Sequence, residues 1–214
     1  MHAHTNHRDK RIIPLRHKSH NILVLIVTIF SLCMPSLSHG KQETAGKILV
    51  LYYSNTGNTR AVCDALREKL GADIVEIKDL KNNPGKLTMK TKLEKPLAMD
   101  TEIDPKTVDM SAYSSVIVGS PIWMGGLSPA IRKFAALNTF AKKKVVIVTT
   151  TNASEKDELK EKNKAIVRAA KGDVVGYYQV MAMEEKDGTK VERNKDQIIE
   201  DARKLLPGIQ KAFQ

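Results

Sequence analysis

The chain has 214 residues, 42% of them apolar, and a formal net charge of +11, which suits one domain of moderate size with a core and little besides. No basic cluster is interleaved with aromatics and the lysines are scattered over helical faces, so charge alone does not point to nucleic acid and no nucleic-acid partner is expected. All six histidines (His2, His4, His7, His17, His20, His39) precede Gly40, which excludes a histidine base or histidine metal ligand from the remaining chain, and no metal site is expected there.

Residues 1–40 read as an address. Arg8, Lys10, Arg11, Arg16 and Lys18 stand against Asp9 alone, contributing +4 and leaving +7 for the rest. They precede thirteen apolar-rich residues, Ile22–Met34, ended by Pro35. As a helix this run is about 20 Å long, too short for a hydrocarbon core of about 30 Å. Small residues around Ser36, Ser38 and Gly40 offer a cleavage site, so the segment is expected to be a secretory signal peptide. The alternative is an uncleaved N-terminal membrane anchor, the only route to a membrane contact. Either way the domain is exported, periplasmic or extracellular, with the positive charges left inside. Leu32 before Cys33 is too bulky for a lipidation site.

From Lys47 the pattern alternates. Lys47–Tyr53 is a continuously apolar strand, as expected when helices cover both faces of a sheet. The turn Ser54-Asn-Thr-Gly-Asn-Thr59 leads into a helix with Val62, Ala65, Leu66 and Leu70 on one face and Gly71 at its C-cap. Asp73–Ile77 is a second strand. Lys81–Tyr113, with Pro84, Pro96 and Pro105, accommodates only a short helix and an extended lead into a third strand, Ser115–Gly119. Ser128 and Pro129 form an N-cap and first-turn proline for the next helix. Lys144–Thr149 is the fourth strand. Ser154 and Asp157 resemble a capping box opening a charged helix to about Ala170, and Val174–Val180 is the fifth strand. A last helix runs from about Lys195 to Phe213, kinked or ended at Pro207. Such alternation predicts an α/β, three-layer, doubly wound parallel sheet over residues 47–213.

Two turns carry chemistry. Ser54–Thr59 lies at the carboxyl end of a parallel strand and enters a helix, where unpaired N–H groups, hydroxyls and the helix dipole favour an anion. Gly57 allows positive φ and close approach. Without a Walker lysine or a Gly-x-Gly-x-x-Gly pattern, a monophosphate fits better than a triphosphate or dinucleotide; a capped turn without a ligand is the equal alternative on these residues alone. The second turn, Gly119-Ser-Pro-Ile-Trp-Met-Gly-Gly-Leu-Ser-Pro129, holds the single tryptophan of the chain. An exposed Trp beside two glycines suits stacking on a flat ligand; the alternative is an inward-packed lid.

Ser-x-Thr-Gly-x-Thr after the first strand, followed by Gly-Ser-Pro-Ile-Trp-x-Gly after the third, resembles the flavodoxin family over essentially all of Lys47–Phe213. The resemblance implies a five-stranded parallel sheet in the order 2-1-3-4-5 with one FMN at the switch point between strands one and three. It implies that Ser54, Asn55, Thr56, Gly57, Asn58 and Thr59 hold the phosphate and that Pro121, Ile122, Trp123, Met124, Gly125 and Gly126 line the isoalloxazine, with Trp123 stacking. A third loop containing Thr150, Thr151 and Asn152 would meet the other edge or face of the ring, without the aromatic that flavodoxins usually place there. The implied function is electron transfer, the flavin cycling through semiquinone and hydroquinone, with no catalytic residue of the protein's own. Alternatives are an FMN-dependent NAD(P)H:quinone-type reductase and a flavodoxin-like module that lacks FMN. Flavodoxins are typically acidic and cytoplasmic; this basic, exported domain suits a redox partner protein with an acidic surface. Tyr52 and Tyr53 are expected to pack within the strand, Cys63 to be buried, and Arg60 to be an exposed helix residue. Arg132 and Lys133 are placed near the flavin loop by their position in sequence.

Overall fold

Six residues, Lys47–Tyr52, form β1, whose side chains alternate between two buried faces. This strand belongs to a computed structural model that describes residues 46–81 and 101–214, all within one unit, Glu43–Gln214. The expected signal or anchor segment, with the histidines and Cys33, lies outside the described residues. So does most of the short helix expected after Lys81.

After β1 the chain turns into helix α1 (Asn58–Leu70). Gly57 before it and Gly71 after it both have positive φ, +86° and +59°; Ala72 N–H closes the last turn on Arg67 O at 3.0 Å, the glycine C-cap read from sequence. Strand β2 (Asp73–Glu76) returns beside β1, and the two-residue strands β3 (Lys78–Asp79) and β4 (Ile103–Asp104) pair antiparallel. No helix forms within the described residues between Thr101 and Tyr113.

Strand β5 (Tyr113–Trp123) is longer than the five residues expected. It runs on through Pro121 and Ile122 and folds back on β6 (Gly126–Leu127) through a two-residue turn at Met124-Gly125. Both turn residues have positive φ, +46° and +78°, as such tight hairpins require. Helix α2 (Pro129–Leu137) starts as read: Ser128 Oγ accepts from Ile131 N at 3.4 Å and Pro129 occupies the first turn.

Strand β7 (Lys144–Thr151) leads to helix α3 (Asp157–Ala169). The capping box expected from Ser154 and Asp157 is absent. The N-cap is Lys156, which makes no side-chain cap, because the chain before the helix instead turns Glu155 into the interior, where four side chains bond it. Strand β8 (Asp173–Met181) completes the sheet. A hairpin of β9 (Met183–Lys186) and β10 (Thr189–Glu192) then precedes helices α4 (Lys195–Lys204) and α5 (Leu206–Phe213). The expected single last helix is thus broken at Leu205, with Pro207 in the first turn of the second piece.

The parallel strands lie in the order β2-β1-β5-β7-β8, which is 2-1-3-4-5 when only the parallel strands are counted. Helices cover both faces. Leu49, Leu51, Val116, Val118, Val145 and Ile147 pack with Ile131 and Phe134 of α2 and Val167 of α3. Val50, Ile117, Val146 and Val148 pack on the other face with Val62 and Leu66 of α1, Ile198 and Ala202 of α4, and Ile209 of α5. Period-two alternation on wholly buried strands produces the two cores and so the three layers. The order reverses between β1 and β5, and the loops leaving their carboxyl ends diverge to open a crevice.

Candidate functional site

The Ser54–Thr59 loop sits at that reversal. Tyr53 N–H donates to Gly119 O at 3.1 Å, holding the end of β1 against β5. Ser54 Oγ accepts from Gly57 N at 3.1 Å and Arg60 N at 3.2 Å, folding the loop into a concave turn. Of the first four N–H groups of α1, that of Arg60 is thus taken by Ser54, and that of Ala61 by Gly57 O. The N–H groups of Asn58 and Thr59 have no acceptor among the described residues, as the geometry of a helix start allows. Asn55 Oδ1 is buried with no hydrogen-bond partner among the described residues. With Gly57 in the left-handed region, the loop has the features of an anion cradle: free donors, a dipole and no side chain at its tightest point.

The third loop closes on the first. Thr59 Oγ1 and Thr150 Oγ1 share a hydrogen bond of 2.7 Å, while Thr151 Oγ1 donates to Ala153 O at 2.8 Å and shapes the turn before α3. Thr150 and Thr151 are buried; Asn152 is exposed. Beneath this loop Glu155 is buried and accepts from Thr149 Oγ1 (2.6 Å), Tyr177 OH (2.6 Å), Gln179 Nε2 (3.1 Å) and Asn163 Nδ2 (3.3 Å). Asn163 Oδ1 in turn accepts from Leu127 N at 3.0 Å, so the same network holds β6. Burial and the bond to Glu155 push the Tyr177 phenol well above its usual range, keeping it a neutral donor. Sequence reasoning missed Glu155 and Tyr177. The available signal was a lone carboxylate beside a Thr-rich strand end, which is a weak one.

The second loop departs from expectation. Trp123 is neither exposed nor on a loop: it ends β5 and is only 7% exposed. Its ring stands edge-on to Tyr53, with centroids 5.9 Å apart and planes at 86°, a favoured aromatic geometry. The inward-packed reading of Trp123 is therefore the one the geometry supports. The physical reason is the two-residue turn, which lets β5 continue to residue 123 and carries the indole into the core. The exposed apolar surface of the turn is instead Met124, 75% exposed. Gly125 and Gly126 lie beside Leu159 and Asn163 of α3.

A cleft of about 460 Å³ opens from the first loop on the β2 side, lined by Tyr53, Ser54, Asn55, Gly57, Arg60 and the stretch Glu76–Leu80. None of Pro121–Gly126 lines it, so it adjoins the phosphate end rather than the turn at Met124. The Tyr53 hydroxyl is buried there without a partner among the described residues, and burial raises its pKa far above the usual phenol range. Arg60 bonds Glu76 through both carboxylate oxygens at 2.6 and 2.8 Å and donates to Tyr52 OH at 3.3 Å. Arg132 does not face the Met124 turn; it lines a groove with Asn138 and Ala170 between α2 and α3. Cys63 is fully buried and burial pushes its thiol far up, so no thiolate forms near neutral pH. Among the described residues no group of three His, Cys, Asp or Glu is placed to hold a metal, and no helix is long and apolar enough to cross a membrane.

A family model described as Flavodoxin matches residues 47–176. The chain belongs to the flavodoxin family. Several solved structures share the fold of this flavodoxin-family chain. A candidate flavoprotein from Bacteroides eggerthii DSM 20697 matches with 21% identity and a TM-score of 0.52, over 76% of this chain and 98% of that one. The apo form of a flavoprotein from Lactobacillus acidophilus NCFM matches with 18% identity and a TM-score of 0.50, over 63% and 91%. Its complex with FMN matches with 18% identity and a TM-score of 0.48, over 63% and 93%. No curated protein sequence matches this chain.

Proposed function

We propose that this flavodoxin-family protein binds FMN and carries electrons. The observation that supports the reading most is the Ser54–Thr59 loop: a helix start whose first N–H groups have no acceptor among the described residues and a glycine at positive φ, both at the reversal of strand order. When bound, FMN supplies one- and two-electron redox chemistry that no side chain here offers. Ser54, Thr56 and Thr59 present hydroxyls to the phosphate, Asn58 and Thr59 their N–H groups, and Asn55 its amide N–H groups as donors. Met124 and Gly125 form the rim that the ring would meet, and Thr150 and Thr151 the wall tied to the loop through Thr59. The Glu155 network fixes that wall from below and limits its motion. Pro121 and Ile122 act through backbone, holding the rim on β5.

A second reading is an FMN-dependent reductase for a quinone or similar small acceptor. The cleft lined by Tyr53 and Glu76–Leu80 favours it, because it offers room for a second ligand beside the loop. The basic balance of the chain supports a partner with an acidic surface, and residues 1–40 support export.

The absorption spectrum of the purified full chain, recorded before and after addition of FMN, tests the central claim. Flavin bands that remain with the protein after gel filtration are expected. No flavin signal and no uptake would refute it. A steady-state assay with a nicotinamide donor separates the two readings, since a carrier alone shows negligible turnover.

A further inference from the structure

A phosphate monoester carries up to two negative charges, yet the Ser54–Thr59 loop contains no cation. The next residue, Arg60, has its charge directed elsewhere by the two short bonds to Glu76. A cation reaches the loop from the far end of the chain. Lys195 Nζ donates to Thr56 O at 3.3 Å and to Asn58 Oδ1, and it stands 3.4 Å from where a Cβ on Gly57 would be. Among the described residues its bonds go to neutral oxygens and no carboxylate pairs with it.

Helix stability does not account for this placement. Lys195 is the first residue of α4, where the macrodipole disfavours a positive charge. The helix start is already satisfied by a capping box between Asn194 and Gln197 (2.9 and 3.0 Å). What fixes α4 in place is distant from the lysine head: Ile198 and Ala202 pack in the same core as Val62 and Leu66 of α1, and Arg193 bridges Met181 O (3.0 Å) and Asp201 (2.6 Å). The residue also lies beyond the family-matched region, which ends at 176. The β9–β10 hairpin determines where α4 begins and so where this ammonium falls.

We propose that Lys195 is the counter-ion of the cofactor phosphate, delivered by α4 onto the Ser54–Thr59 loop, and that it makes the site prefer a phosphorylated flavin over riboflavin. The inference rests on the FMN reading above. The ammonium sits on a flexible four-carbon stem with three donors. It can keep one loop oxygen and exchange the other for a phosphate oxygen with little movement of the backbone.

The test is fluorescence titration of the full-length chain with FMN and with riboflavin, for the wild type, Lys195→Gln and Lys195→Arg. Glutamine keeps a donor for the loop oxygens and removes the charge. Loss of a charge-assisted bond predicts FMN affinity weaker by about tenfold in Lys195→Gln, with riboflavin affinity changed by less than about twofold. Lys195→Arg should recover most of the FMN affinity. The wild-type FMN affinity should also fall more steeply with ionic strength than that of Lys195→Gln. Equal loss of both ligands would show that the lysine only props up the loop, and unchanged FMN affinity would show that it does nothing there; either overturns the proposal. If the wild type takes up no FMN, the parent reading fails and this one with it. If the wild type binds FMN but Lys195→Gln keeps the same FMN-to-riboflavin ratio, only the role of Lys195 fails.

Discussion

Gly119 shows how closely the middle of β5 approaches α1 and β1. A Cβ there would stand 2.3 Å from Cys63 Sγ and 2.8 Å from Tyr52 Cβ, distances that real side chains do not adopt. Both neighbours are buried, at 0% and 4% exposure, so neither can swing into solvent. Overpacking of this kind destabilises by about 1–3 kcal/mol, and Gly119→Ala should fall in the upper half of that range. Cys63→Ala removes the nearer atom, so the double variant should be more stable in urea than Gly119→Ala alone, while the clash with Tyr52 keeps the rescue partial. Strict additivity in the double-mutant cycle would contradict this packing. The same cysteine was legible as buried from its place one turn into an amphipathic helix. Trp123 was harder to read, because its fate depends on whether β5 stops at Gly119 or continues. That is set by pairing with β6 across the two-residue turn Met124-Gly125, a short hairpin that the run Pro-Ile-Trp does not announce.

At the scale of elements, sequence pattern located every parallel strand, the C-terminus of α1 and the N-terminus of α2, because glycine and Ser-Pro signals act locally. It missed the β9–β10 hairpin. The signal was present in Asp187-Gly188, both with positive φ (+52° and +73°), a dipeptide that favours tight hairpins; the flanking strands are mostly exposed and charged, so no apolar alternation drew attention to them. This hairpin matters through the contact that follows it, Arg193 with Asp201 at 2.6 Å and Lys204 with Asp201 at 3.0 Å. Partial burial raises the Asp201 pKa, but the bonds from Arg193 and Lys204 outweigh it and leave the carboxyl below its ordinary value. A folded-state pKa lower than the unfolded one, about 3.9 for Asp, means that the unfolded state binds the proton more readily. The associated stability is therefore present above about pH 4 and is lost as pH falls through the folded value. Urea midpoints of the wild type should drop over that acid window by more than those of Asp201→Asn, which lacks the group. Parallel pH profiles for the two proteins would show that the bridge does not contribute.

For the molecule as a whole, the strand order places three loops from β1, β5 and β7 at one edge of the sheet, and Thr59 with Thr150 joins two of them directly. Alternation of five apolar runs with helices made a doubly wound parallel sheet legible, but its strand order came only from the resemblance carried by the two turns. The clamp from α4 was not legible, since nothing near Lys195 in sequence shows which loop it will meet. A ligand held by loops on three central strands cannot be kept when the sheet opens, so its binding energy should appear as global stability rather than as local stiffening. With FMN at a hundredfold excess over its dissociation constant, linkage adds about 2.7 kcal/mol to unfolding. For a domain of this size each kcal/mol raises the melting temperature by about 2–4 °C, so the transition followed by circular dichroism should rise by about 5–11 °C and grow with the logarithm of FMN concentration. Riboflavin at equal concentration should give a smaller shift, because it leaves the Ser54–Thr59 loop and Lys195 without their anion. A melting temperature indifferent to FMN across that range would mean that the loop holds no flavin phosphate and is a capped turn.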